Sequence, residues 1–307
     1  MIVRRNLRLR VVLRYGWKVL ATSTLAALAL AYAYHVLGWQ HLRIPFSAVG
    51  ALSTALAIFL AFRNNTSYDR WWEARKLWGQ LINSSRSFAR QVTTLLTVPA
   101  GGALSSEELR GVQRELVHRQ IAFAHALRFH LRKQPQLLDE ISALLSREEL
   151  ARAKTSRNVP AYLLQRQGER LAELSRQGLM NHHVLLALDR TLTELANVQG
   201  GCERIKNTPL PRQYDFYPRV FVYLYTVFLP FGLVAEMGWL TPVVSVPISF
   251  LFKALEGVGA VNEDPFENRI QDTPLTALCR TIEVNLREVL GETDLPPALE
   301  PVDGYLF

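Results

Sequence analysis

RIPFSAVGALSTALAIFLAFRNNTSYDRWWEARKLWG, residues 43–79, is the stretch on which the fold turns. Between Arg43 and Arg63 there is no Asp, Glu, Lys or Arg, and the gap is long enough to cross about 30 Å of hydrocarbon as a helix. Pro45 suits the start of that helix, because a first-turn N–H has no intrahelical partner to lose. Charges and aromatic rings then return, but neither Pro nor Gly interrupts residues 63–78. The helix is therefore expected to leave the lipid without stopping and to present Trp71, Trp72 and Trp78 to a packed interior.

Working outward, a similar gap runs from Lys18 to Arg43, and two slightly shorter ones run from Arg219 to Glu236 and from Glu236 to Lys253. Four membrane helices are expected, over residues 17–38, 45–62, 217–235 and 242–255, with Trp17, Tyr32, Tyr34 and Trp39 at headgroup level near the ends of the first. Mean hydropathy of +0.05 over 307 residues suits a chain that mixes lipid-facing and wet parts. The first apolar run is too long for a secretory leader, and no small-residue cleavage site precedes a soluble domain, so it reads as a retained span. The expected fold is an all-α membrane protein in four parts. Residues 1–62 form a cytosolic amino-terminal segment with membrane helices one and two. Residues 63–215 form a large cytosolic helical domain, 216–257 membrane helices three and four, and 258–307 a cytosolic carboxy-terminal segment.

Within the wet region, Pro99 to Gly102 break the long helix, and Ser105 with Glu107 and Glu108 caps the next. Pro135 and the Asn158-Val159-Pro160 stretch punctuate further helices, and the last cytosolic one is expected over residues 179–204. Thr208 to Pro211 form an extended connector, Gly238 and Pro242 an outer turn, and residues 276–290 a final helix. The net charge of +8 suggests a nucleic-acid partner only until it is mapped. Much of the excess sits in Arg4, Arg5, Arg8, Arg10, Arg14 and Lys18, beside the first span, which marks the cytoplasmic side. The expected partner is lipid and not nucleic acid. Location follows as the plasma (inner) membrane, multi-pass, with both termini cytoplasmic. Cys202 and Cys279 are too few and too far apart for a disulfide framework or a thiolate metal site. No Walker-type loop, HExxH motif or nucleophile elbow is present, so no catalytic residue is assigned.

Four ordered motifs narrow the reading. RNNTSYDRWWEARKLWG (63–79), QGGCERIKNTPLP (199–211), LPFGL (229–233) and LCRTIEVNL (278–286) resemble, in this order, the bacterial and plant branch of the bestrophin family. The signature residues are Arg63, Asn64, Tyr68, Arg70, Trp71, Trp72, Glu73, Arg75 and Trp78. The resemblance implies a homopentamer of helical subunits around one central ion pathway, with the pore neck at Thr54, Ile58 and Phe62 and a cytosolic aperture at Val184 beside His182 and His183. The neck positions are spaced i, i+4 and i+8, on one face of one helix. Thr54 departs from a neck that is otherwise apolar throughout the family. In the competing reading Ile58 and Phe62 simply pack against a neighbouring span. Glu236, beside Gly238 and Trp239, reads as a residue of the outer water interface.

Animal relatives in this family carry an acidic calcium-binding run. The matching positions here, Asp264, Glu267 and Asp272 with Arg269 among them, supply few of the six to eight oxygens calcium takes, so no metal or cofactor is assigned beyond permeant ions. A dry apolar ring gates by dewetting and passes ions that shed water easily, and five Phe62 ring edges carry partial positive charge. Together with the basic cytosolic face, this favours passive flow of chloride and other monovalent anions. A monovalent cation (sodium) channel of the same fold is the alternative, and a membrane-anchored interaction protein a third. A secondary transporter is disfavoured because no inverted repeat is visible. With both ends inside, a reporter enzyme fused after Phe307 should be active only in the cytoplasm; activity only in the periplasm would contradict the assigned topology.

Overall fold

A computed structural model describes residues 1–3, 9–98 and 105–307, and the side chains of residues 9–15 are outside the description. Arg4, Arg5 and Arg8, the side chains of Arg10 and Arg14, and the break at Pro99 to Gly102 therefore lie outside the described residues. Among the described residues the elements are helical: α1 (Leu9–His35), α2 (Phe46–Leu95), α3 (Ser106–Arg132), α4 (Arg147–Thr155), α5 (Val159–Arg176), α6 (His182–Asn207), α7 (Arg212–Met237), α8 (Thr241–Asn262) and α9 (Leu275–Val289). Short 3-10 segments cover Gln40–Leu42, Pro135–Leu144 and Gly238–Leu240. The chain divides into two compact units, one of Arg4–Trp71 with Pro209–Asp264, the other of Met1–Val3, Trp72–Thr208 and Pro265–Phe307.

The long helix forms as its sequence requires. α2 runs unbroken for 50 residues, about 75 Å at 1.5 Å per residue. Pro45 sits just outside it, and its carbonyl accepts the Ala48 N–H at 3.0 Å. Two helical stretches, Gln40–Leu95 and Arg212–Asn262, are long and apolar enough to cross a membrane. In the first, only 17% of the most apolar window is buried, unlike a core helix of a water-soluble protein.

The first unit packs the amino-terminal part of α2, α7 and α8 around Val49, Leu56, Leu60, Val222, Tyr225, Leu229, Leu233 and Phe252, and α1 lies against α7 and α8. Small residues let these helices close on one another. A Cβ on Gly232, inside the LPFGL motif, would lie 2.8 Å from Val49 Cγ2, and one on Gly259 would lie 2.3 Å from Asn64 Oδ1. In α1, Thr22, Ser23 and Thr24 turn their hydroxyls back to the carbonyls of Lys18, Val19 and Leu20 at 2.8, 2.6 and 2.7 Å. Each spends its donor within its own helix, which lowers the cost of a hydroxyl away from water.

The second unit is built on α3, which is buried on nearly every side from Arg119 to Leu131. Its start carries a reciprocal cap: Glu108 N–H donates to Ser105 Oγ at 3.2 Å, and Ser105 N–H to Glu108 Oε2 at 2.7 Å. Trp78, Leu81, Phe88 and Val92 of α2 join one core with Leu116, Ile121 and Leu127 of α3, Leu188 and Leu195 of α6, and Ile282 and Leu286 of α9. Several charged groups inside it are paired. Arg119 grips Glu149 with two nitrogens at 2.5 and 3.1 Å and also bonds Gln167 at 3.0 Å. Burial pushes the Glu283 carboxyl up, but His125 and Arg287 outweigh it and hold the group down at about 2. Cys202 and Cys279 are free and buried, and burial pushes the Cys279 thiol up to about 12.

A single buried cation holds the first unit at its charged end. Arg63 is 0% exposed; its Nη2 lies 2.5 Å from Asp215 of α7, while Nη1 donates to the Glu256 carbonyl of α8 at 3.0 Å and lies 3.6 Å from the carboxylate of that residue. Glu263 approaches to 4.0 Å. Lys253 and Arg219 balance the remaining charge, at 2.5 Å from Glu256 and 2.6 Å from Asp215. The fork geometry needs Arg, since Lys offers a point charge and no planar pair of donors. Arg63→Met removes the cation at the centre of this cluster, beside the buried carboxylates of Glu256 and Glu263, and should destabilise the protein by about 3–5 kcal/mol, with Arg63→Lys recovering part of the loss. Thermal survival of the detergent-purified protein checks this, and an unchanged melting curve for Arg63→Met would remove the cluster from the account of stability.

Candidate functional site

The two faces of α2 differ sharply over the apolar stretch. Leu56 and Leu60 are 2% and 1% exposed, whereas Ile58 and Phe62 are 54% and 65% exposed. Thr54 is exposed too, and its hydroxyl donates to the Gly50 carbonyl at 3.1 Å. Phe59 turns toward α7, stacked with Tyr214 at 6.4 Å and edge-on to Phe221 at 6.3 Å. Thr54, Ile58 and Phe62 thus lie as a stripe within one broad exposed face, which also takes in Ala51, Ala55 and Ala61 and lies opposite the buried Leu56 and Leu60.

The signature that follows serves mainly to hold this helix. Asn64 Nδ2 donates to the Leu255 carbonyl at 3.0 Å and Arg70 Nε to the Glu263 carbonyl at 2.6 Å, so both reach the end of α8. Tyr68 stacks on Trp71 at 6.0 Å. Glu73 pairs with Arg204, Arg75 is half-buried and Trp78 is fully buried. One expectation needs correction: Trp71 is half-buried and Trp72 is 45% exposed, so only Trp78 enters the interior completely. Successive residues turn by about 100°, so adjacent tryptophans cannot share a buried face.

The other motifs also prove to be packing devices. A Cβ on Gly201 would lie 2.9 Å from Leu77 Cδ2, so Gly201 lets α6 close on α2 within the second unit. Gly200 and Gly201 lie inside α6 and do not end it. In the 278–286 motif, Cys279, Ile282 and Leu286 are buried, while Asn285 Oδ1 accepts from Arg86 at 2.9 and 2.5 Å. Val184 sits on the first turn of α6, half-buried against the core, with its N–H capped by Asn181 at 3.0 Å. His182 and His183 are exposed beside it, and Glu236 is exposed near the end of α7.

In the segment aligned with calcium binding, Lys206 Nζ lies 2.5 Å from Glu267, and Asp272 accepts the Arg269 N–H at 3.0 Å. Among the described residues no group of three or more His, Cys, Asp or Glu is placed to hold a metal ion.

Sequence reasoning missed the partners of Arg63. Asp215, Glu256 and Glu263 carry a signal of their own, since each lies close to the edge of a charge-free gap, where an unpaired carboxylate is costly.

Residues 2–288 match the family described as bacterial/fungal bestrophin protein. The voltage-dependent anion channel-forming protein YneE of Escherichia coli O157:H7 is 39% identical over 272 residues, covering 89% of this chain and 84% of that protein. The voltage-dependent anion channel-forming protein RSc3414 of Ralstonia nicotianae is 43% identical over 251 residues, covering 82% and 78%. A crystal structure of a bacterial bestrophin homologue from Klebsiella pneumoniae superposes with a TM-score of 0.82 at 32% identity, covering 89% of this chain and 98% of that one. With its motifs, its helical architecture and these relatives in agreement, the chain belongs to the bacterial and fungal bestrophin family, whose members are ion channels and not enzymes.

Proposed function

We propose that the chain is one subunit of a homopentameric channel that passes chloride and other monovalent anions passively across the bacterial inner membrane. The carrying observation is the exposed face of Thr54, Ile58 and Phe62, which puts two large apolar side chains opposite the buried Leu56 and Leu60. Five such stripes facing one axis make a short dry neck, and an ion crosses it only as water can be kept or shed there. In this reading α1, the amino-terminal part of α2, α7 and α8 are the four membrane helices, and the second unit and both termini are cytoplasmic. The anion preference rests on what the related channels are named for.

Calcium is proposed to have no activating role, because Lys206 already places a positive charge on Glu267.

The deciding experiment is the reversal potential of purified protein in a planar bilayer under a NaCl gradient. A potential near that of chloride supports the reading, one near that of sodium supports the cation alternative, and native mass spectrometry should show five copies. Ile58→Ala and Phe62→Ala should raise current strongly by letting water stay in the neck. Phe59→Ala should instead lower stability by about 3 kcal/mol or less, since that ring is only half-buried. If the first two variants leave single-channel records unchanged, the pore does not run along this stripe. Adding micromolar calcium to the cytoplasmic side should leave the current as it was, and current that appears only with calcium would overturn that part.

A further inference from the structure

The stripe does not end at Phe62. On an ideal helix Asp69 lies seven residues beyond Phe62 and eleven beyond Ile58, which places it about 20° from each, on the line between them, and about 10 Å further along α2. The helix is continuous over this stretch, and Asp69 is exposed. The cations that bracket it point elsewhere: Arg63 is spent on Asp215 and Glu256, and Arg70 on the Glu263 carbonyl. Tyr68 and Trp71 are stacked on one another. Asp69 thus carries the first charge on this face below the neck, and among the described residues it has no ionic partner.

We infer that Asp69 forms a ring of five carboxylates on the cytoplasmic side of the neck, which repels anions, gathers cations and limits how strongly the channel prefers anions. This rests on the pore reading of α2. An apolar neck has no sign of its own, so the nearest fixed charges decide which ion is concentrated at its mouth. Arg63 and Arg70, the basic residues at the level of Asp69, are turned into the protein, so the first charge on this face below the neck is negative and the exposed Lys76 follows seven residues further along.

The test uses the full chain in planar bilayers. Asp69→Asn should raise the anion-to-cation permeability ratio at least about five-fold, the Boltzmann weight of one unit-charge contact at 4 Å in water acting on a single ion species. It should also increase anion current that enters from the cytoplasmic side. Both effects should be large at ~0.1 M salt and small at ~1 M, where the screening length falls from about 10 to about 3 Å. Asp69→Glu should keep the wild-type reversal potential. A conducting wild type with Asp69→Asn unchanged in reversal potential and rectification overturns the ring and leaves the channel standing. Loss of the pentamer in Asp69→Asn, seen by native mass spectrometry, assigns Asp69 to subunit packing and overturns it as well. A wild type that assembles but carries no current overturns the channel reading and the ring together.

Discussion

A guanidinium without water around it cannot be left alone, and Arg63 is such a group. Its position in the chain follows from the lipid: the charge-free stretch of α2 ends there, one residue after Phe62. Its partners come from the start of α7 and the end of α8, so a single cation fixes three helices at the same level. Glu256 and Asp215 each have a second cation, which keeps the group near neutrality. The arrangement does for α2 what a turn would do in a soluble protein: it fixes which side of the helix faces in. With Arg63 turned toward α7 and α8, the stripe of Ile58 and Phe62 must face away.

The family motifs acquire a physical meaning from this. Gly232 and Gly201 are sites where helices approach too closely for a methyl group, and Gly259 is where α8 meets the side chain that α2 sends across to it. Asn64 donates to the Leu255 carbonyl inside α8 and Arg70 to the Glu263 carbonyl just past its end, and together they hold the helix on both sides of the exposed carboxylate between them. A pattern that looks like a basic-aromatic membrane anchor is a set of directed bonds that sets the rotation of α2.

Much of this architecture was legible in the amino-acid order, and the misses have simple causes. The charge-free gaps located α2, α7 and α8, because burying a backbone in lipid leaves few alternatives to a helix. They mark where lipid begins and not where the helix does, so α1 and α7 start well before Trp17 and Tyr217, at Leu9 and Arg212. The Ser105 cap was readable because it is local. The partners of Arg63 were not, since Asp215 and Glu256 are distant in sequence and only the closure of the bundle brings them together. Trp72 was misplaced because composition records how many aromatic rings a stretch holds and not which way each one turns.

The hydroxyl of Thr54 carries a consequence of its own. Its proton is committed to the Gly50 carbonyl, so the side chain presents outward only lone pairs and a methyl group. In a five-fold neck that level would offer a passing anion no proton to hold. The ion would be met there through an intervening water, whose one hydrogen points to the threonine oxygen and the other to the ion. In the proposed channel the departure from an all-apolar neck would be a perch for solvent, a place where the hydration shell of an anion is handed over before the dry rings of Ile58 and Phe62.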